Sequence, residues 1–320
     1  MIIESSVAGC LPRPQGLIEE TRSYDRSQIS EEELEVRFRE YTKEVIAAQN
    51  KSGLSYINDG FLKRQDLLRP FTTKLEGVII GQLYRWFDNN TFCRIPIIKD
   101  EICGDPPFNE TYSDLLPEVQ LKALLPAPYT FVKLSKNEYY RDELDFLHVI
   151  SEIMNHEIRT LEKQGYTYFQ LSDPALVYRK TTPNKDTLHE IAEAIETTTK
   201  GVKSRTCLQT FFGDISPVLS EILDWKIDDI GIDYYETESE IIKEHSFEGG
   251  ICLGVVDSRN TLRESILELC NICRDLISAT NIEHFIVSTN CDLDFLTWGF
   301  AQSKITTLVT VVSKLREEFC

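Results

Sequence analysis

No apolar run in the 320-residue chain approaches the ~18 to 20 residues that a membrane-spanning helix needs, so a helical membrane protein is excluded. Basic residues are scarce: 34 Lys plus Arg stand against 52 Asp plus Glu, for a net charge of −18. Such a surface repels phosphate backbones and anionic lipids, which argues against a nucleic-acid or membrane partner. Met1-Ile2-Ile3-Glu4-Ser5-Ser6 has neither the basic nor the long apolar region of a signal peptide. A disulfide framework is also lacking, because the cysteines number nine and lie scattered. The expectation is a cytoplasmic protein with free thiols. No Gly-, Ser- or Pro-rich linker interrupts the chain, so residues 1–320 read as one domain, and at 42% hydrophobic content that domain has an ordinary globular core.

Short β-branched runs alternate with amphipathic helical patterns. The strand candidates are Ile2–Ala8, Leu54–Asn58, Tyr129–Leu134, Tyr166–Leu171, Thr206–Phe211, Asp229–Asp233, Ile251–Val256 and Phe285–Ser288. Each is nearly continuous in hydrophobicity, as befits a parallel strand covered on both faces. Helices are expected over Ser30–Gln49, Arg141–Gln164, Asp186–Thr199, Pro217–Trp225, Glu236–His245, Thr261–Ala279 and Gln302–Phe319. Eight strands, each followed by a helix, make a single (β/α)8 TIM barrel. An open doubly wound sheet would carry a Gly-rich phosphate turn after its first strand, and Gly9-Cys10-Leu11-Pro12-Arg13 is not one. A long insertion, residues 71–126, separates strands 2 and 3. Its Arg85–Ile97 stretch reads as a hairpin over the barrel mouth, presenting Trp86, Phe87 and Phe92 either as an association face or as a packed lid.

Active sites of such barrels form where strands end. The strand ends here mix acids and arginines, which suits a ligand bearing both amine and carboxylate groups. His148, His156, His189 and His245 fall inside helices and His284 at the N-terminal end of strand 8, so no His dyad or multi-His zinc site is expected. Cys270 and Cys273 form a mid-helix C-x-x-C without a second pair, which reads as packing.

Taken in order, the strand-end motifs resemble the cobalamin-independent methionine synthase family. Gly9-Cys10-Leu11-Pro12-Arg13 is similar to its G-S-x-P-R, Asp59-Gly60-Phe61-Leu62-Lys63-Arg64 to its D-G-E-x-x-R, and Gln170-Leu171-Ser172-Asp173-Pro174-Ala175-Leu176 to its Q-x-D-E-P-A-L. Gln209–Asp214 and Gly254–Asn260 match further family segments, and Cys291 stands where the family has the cysteine of P-D-C-G-L. The resemblance implies a barrel built for moving a methyl group onto homocysteine, whose thiolate zinc activates. At the family's zinc positions, however, Thr210 replaces His and Phe212 replaces Cys. Only Asp233 and Cys291 keep ligand type, short of the three protein ligands a catalytic zinc normally has. Phe61 and Ser172 replace the two carboxylates that hold the homocysteine amine. Thr210-Phe211-Phe212-Gly213-Asp214 is most like the zinc-free N-terminal barrel of the two-barrel members.

The resemblance therefore implies an accessory barrel with no complete metal site, working beside a separate zinc-bearing subunit. Arg13, Lys63, Arg64 and Arg259 are the candidates for an anionic group such as a folate glutamate tail, and Asp173 and Asp257 are further binding candidates. The alternatives are a thiol methyltransferase using methyltetrahydrofolate or a corrinoid, with zinc in an altered site, and a barrel that only binds a small molecule.

Overall fold

The structure, a computed structural model, describes residues 1–108, Leu115, 119–280 and 282–319. In chain order its elements begin with β1 (Ile2–Ser5), α1 (Gln15–Asp25), α2 (Glu31–Ser52), β2 (Tyr56–Ile57), α3 (Arg69–Lys74), β3 (Glu76–Arg85) and β4 (Phe92–Cys103). There follow β5 (Gln120–Pro126), α4 (Pro128–Lys133), β6 (Lys136–Asn137), α5 (Glu143–Lys163), β7 (Tyr166–Ser172), α6 (Pro174–Val177) and α7 (Lys185–Thr199). The chain continues through β8 (Arg205–Gln209), α8 (Leu219–Ile222), β9 (Asp229–Asp233), α9 (Ser239–Lys243), β10 (Gly250–Val256), α10 (Ile266–Ala279), β11 (His284–Thr289) and α11 (Trp298–Phe319).

Eight strands form one sheet in the order β1-β11-β10-β9-β8-β7-β5-β2, and each neighbouring pair is parallel. The seam between β1 and β2 has no backbone ladder. Two serines close it instead: Ser5 N donates to Ser55 Oγ and Ser55 N to Ser5 Oγ, each at 3.0 Å. This is the TIM-like barrel expected from the alternation of strands and helices. The main core lies between sheet and helices, while Tyr56, Tyr168, Cys207, Cys252 and Ile286 form a separate buried cluster inside the barrel.

The helices start and stop where local chemistry dictates. Ser30 caps α2 in a closed capping box, with Glu33 N donating to Ser30 Oγ at 3.2 Å and Ser30 N to Glu33 Oε2 at 2.8 Å. Asp142 caps α5 with a single bond, its side chain accepting from Asp145 N.

The third barrel strand is Gln120–Pro126, a correction to Tyr129–Leu134, which is helical. Pro128 occupies the first turn of that short helix, where a missing N–H costs nothing, and a brief buried apolar run has no periodicity to separate helix from strand. The true strand is disguised by Lys122, which is 1% exposed. Its ammonium lies inside the barrel and donates to Ser6 Oγ at 2.8 Å and Val7 O at 2.7 Å. The insertion 71–126 thus includes a barrel strand. Its remainder contains the end of α3 and the antiparallel hairpin β3–β4, which β6, beyond the insertion, extends to three strands. Residues 109–114 and 116–118 of that insertion, and Cys320, lie outside the described residues.

The N-terminal end of the barrel, opposite the expected site, holds a buried ionic network. His284 bonds Asp229 Oδ1 through Nδ1 at 3.0 Å and Glu4 Oε2 through Nε2 at 2.7 Å. Arg205 grips both oxygens of Asp229 at 2.7 Å, and the Tyr56 and Tyr168 hydroxyls donate to Glu4 and Asp229.

Candidate ligand cavity at the strand ends

A cavity of about 750 Å3 opens at the C-terminal ends of the strands. Phe61, Phe211 and Trp298 wall it from the barrel side, and Trp86, Phe92 and Cys93 of the hairpin close it from the other. Its charged groups are Arg13, Arg64, Asp66, Asp292 and Asp294, with Ser172 and the Cys10 thiol among its other polar groups. Backbone strain concentrates between this cavity, which Phe61 lines, and a neighbouring cleft, which Phe87, Asp88 and Phe212 line. Phe61, Phe87, Asp88 and Phe212 all adopt left-handed φ values, between 43° and 68°, and only one other non-glycine residue among those described does so. Each such residue costs on the order of 1–3 kcal/mol, and clusters of them mark functional sites.

The loop after β1 brings in Arg13. Its Nε donates to Leu62 O at 2.7 Å, which fixes the guanidinium plane, and no carboxylate among the described residues forms an ion pair with it. Burial alone pulls its pKa down. Arg64, by contrast, is already engaged: Nη2 donates to Asp59 at 3.2 Å, and its guanidinium carbon stands 3.5 Å from the centre of the Phe61 ring. The same loop requires glycine at position 9. A Cβ there would lie 1.8 Å from Asp292 Oδ1, the atom that accepts from Cys10 N at 2.8 Å. Gly9→Ala is therefore expected to break the tie between the loops after β1 and β11 and to cost about 1–3 kcal/mol, read by thermal denaturation.

Asp292 and Asp294 were the least legible part of the cavity. Burial raises both pKa values, and the charge of Asp292 adds to the rise at Asp294, which reaches about 7. Asp292 stands at a strand end, but Asp294 lies in a 3-10 turn beyond it, and only the i, i+2 spacing of the two acids signals the pair.

The other candidates lie elsewhere. Lys63 pairs with Glu35 of α2 at 2.7 Å and does not line the cavity. Asp173 is fully buried behind the wall, where Oδ1 accepts from Thr130 Oγ1 at 2.6 Å and burial pushes its pKa up to about 7. Asp257 and Arg259 bind each other at 3.3 Å, and Arg259 also reaches Glu236 at 2.6 Å, in a second cleft beyond Phe212.

The residues that the resemblance sets at zinc positions supply few metal donors. Thr210 donates its hydroxyl to Gly231 O at 2.8 Å. Phe212 offers no donor atom, and its ring packs against Phe211, Phe87 and Phe295. Asp233 accepts the backbone N–H groups of Phe212 and Tyr235, and burial lifts its pKa to about 6 against the pull of Arg259. Cys291 is buried, which pushes its thiol pKa up. Among the described residues no three His, Cys, Asp or Glu side chains are placed to hold a metal ion.

The sequence profile of the family described as "Cobalamin-independent synthase, Catalytic domain" matches residues 4–314. Among curated relatives, the chain is 26% identical to the methionine synthase of Saccharolobus solfataricus over 330 residues, covering 99% of this chain and 96% of the relative. It is 27% identical to that of Sulfolobus acidocaldarius, covering 99% and 93%. Among solved structures, a B12-independent methionine synthase from Shewanella sp. W3-18-1 in complex with selenomethionine superposes with a TM-score of 0.83 at 17% identity, over 99% of both chains. A second, from Listeria monocytogenes and described as a vitamin-B12-independent methionine synthase, gives 0.77 at 18% identity, over 98% of this chain and 99% of that one.

Proposed function

The chain belongs to the cobalamin-independent methionine synthase family, and from that premise we propose that it is an accessory, zinc-free barrel that binds an anionic small molecule and supports methyl transfer to homocysteine by a separate zinc-bearing barrel. One observation carries this reading. Where the family resemblance calls for a His and a Cys ligand, the chain has a hydroxyl spent on Gly231 and a phenyl ring buried in an aromatic cluster. The loss of the amine-binding carboxylates at Phe61 and Ser172 points the same way: Phe61 carries the Arg64 guanidinium on its face, where an acid would attract an ammonium group. What remains is a cavity with an unpaired guanidinium, suited to a carboxylate-bearing ligand such as a folate or an amino acid. The proposed location is cytoplasmic, and no described helix is long and apolar enough to cross a membrane.

The alternative is that the chain is itself a methyltransferase acting on a thiol, with methyltetrahydrofolate or a methyl corrinoid as donor and an altered zinc site. It is favoured by the coverage of single-chain relatives almost end to end. One experiment separates the readings. Protein purified from zinc-replete cells is expected to hold substoichiometric zinc and to form no methionine from homocysteine on its own. It is also expected to co-purify with a zinc-bearing barrel. Stoichiometric zinc that is lost in Cys291→Ser, together with turnover by the single chain, overturns the accessory role.

A further inference from the structure

We propose that the tip of the β3–β4 hairpin is a lid over the strand-end cavity, latched by Asp88 to Tyr178 and Lys180 in the segment after β7, and that ligand exchange requires the latch to open. The hairpin is anchored at its base. There β3 and β4 pair with each other, and β6 pairs with β4 at Ile97 and Ile98. Its tip reaches across the mouth, placing Trp86, Phe92 and Cys93 in the cavity wall.

What holds the tip is different in kind from what holds the base. Asp88 accepts a hydrogen bond from the Tyr178 hydroxyl and pairs with Lys180 Nζ at 2.9 Å, with Arg179 Nη2 at 3.8 Å. All three side-chain ion partners are solvent-exposed, and exposed ion pairs are weak and screened by salt. Phe87 also packs edge-to-face on Tyr178 at 5.3 Å and more loosely on Phe212 at 6.4 Å, Trp86 and Phe87 are buried in the main core, and Asp66 accepts a hydrogen bond from Arg94 N at 3.2 Å.

The backbone at the tip is also strained. Phe87 and Asp88 are consecutive left-handed residues with φ of 43° and 62°, a conformation that side-chain-bearing residues keep only when surrounding contacts impose it. Phe212, which receives Phe87 across the mouth, is left-handed as well at 68°. Opening relaxes that strain and breaks exposed pairs but also uncovers Trp86 and Phe87, so the closed tip is the resting state and the latch sets how often it opens. The barrel beneath is unaffected, because no barrel strand pairs with β3 or β4.

The test needs no knowledge of the ligand. Cys93 lies on β4 facing the cavity and is 1% exposed, whereas Cys273 is buried in α10 among the helices of the barrel wall and reports global opening. Maleimide labelling followed by mass spectrometry, and hydrogen exchange over 86–94, are compared in wild type, Asp88→Ala and the milder Lys180→Ala. Labelling of Cys93 and exchange at the tip are expected to rise about five- to ten-fold in Asp88→Ala and less in Lys180→Ala, with Cys273 unchanged. High salt is expected to accelerate the wild type and not Asp88→Ala. Equal rates in all three proteins at both salt concentrations, or acceleration only in step with Cys273, overturn the lid.

Discussion

His284→Leu is expected to destabilise the fold by about 3–5 kcal/mol at pH 7 in urea denaturation, because it leaves a buried carboxylate without its cation. Glu4 and Asp229 approach the imidazole from opposite sides, at 2.7 and 3.0 Å, and the ring is nearly inaccessible to solvent. Burial by itself would lower the histidine's pKa. The hydrogen bonds and charges of Asp229 and Glu4 overcome it and carry the value up to about 9. A histidine whose folded pKa exceeds its unfolded value near 6.5 contributes stability that is complete below the unfolded pKa. That contribution fades as pH rises and is gone above the folded pKa. The gap between wild type and variant, roughly 3 kcal/mol from the pKa difference, is therefore expected to shrink between pH 6.5 and about 9. Arg205 remains on Asp229 in the variant, so the Glu4 side of the network, left with the neutral donors Tyr56 and Gln120, carries most of the loss. A difference that stays below 1 kcal/mol, or that is flat across this pH range, contradicts the argument.

The same network shows what the sequence could and could not announce. Alternation of apolar runs and helical patterns identified the barrel because parallel strands covered on both faces have few other readings. It placed His284 at the N-terminal end of β11, away from the mouth, but could not pair it with Glu4 and Asp229. Those residues lie on β1 and β9, and sit beside it only once the sheet has closed. The third strand was missed for a related reason. A lysine in the middle of Gln120–Pro126 reads as solvent-facing until the barrel interior supplies Ser6, Val7 and the Tyr168 ring as its surroundings. At the mouth, Arg13 and Arg64 were legible because each follows a strand within a motif. Asp294 was not, since it lies past a turn whose direction no local pattern encodes. Lys63, although adjacent to Arg64, points to Glu35, a choice set by the packing of α2.

Arg13→Met is expected to weaken binding of a carboxylate ligand by at least about ten-fold, and by up to about a hundred-fold, while leaving the fold intact. An anion entering an apolar, aromatic-walled cavity loses its hydration and must recover it from a fixed cation. Two guanidiniums line the cavity, but they are not equivalent. Arg64 is neutralised by Asp59 and stacked on Phe61, so its charge is largely spent. Among the described residues Arg13 hydrogen-bonds only a carbonyl, Leu62 O, and keeps its charge for whatever enters. Methionine preserves the bulk against Phe38, whose ring centre lies 5.7 Å from the guanidinium carbon, so the melting temperature should barely move. Folic acid and its polyglutamates serve as probes in calorimetry. Wild type is expected to prefer the charged forms over folate esters, Arg13→Met to lose that preference, and Lys63→Met to retain it, because Lys63 is turned toward α2. Arg64→Met should lose less affinity than Arg13→Met. If Arg13→Met binds the charged probes as wild type does, the cavity holds its ligand by shape alone and the anionic class of ligand is wrong.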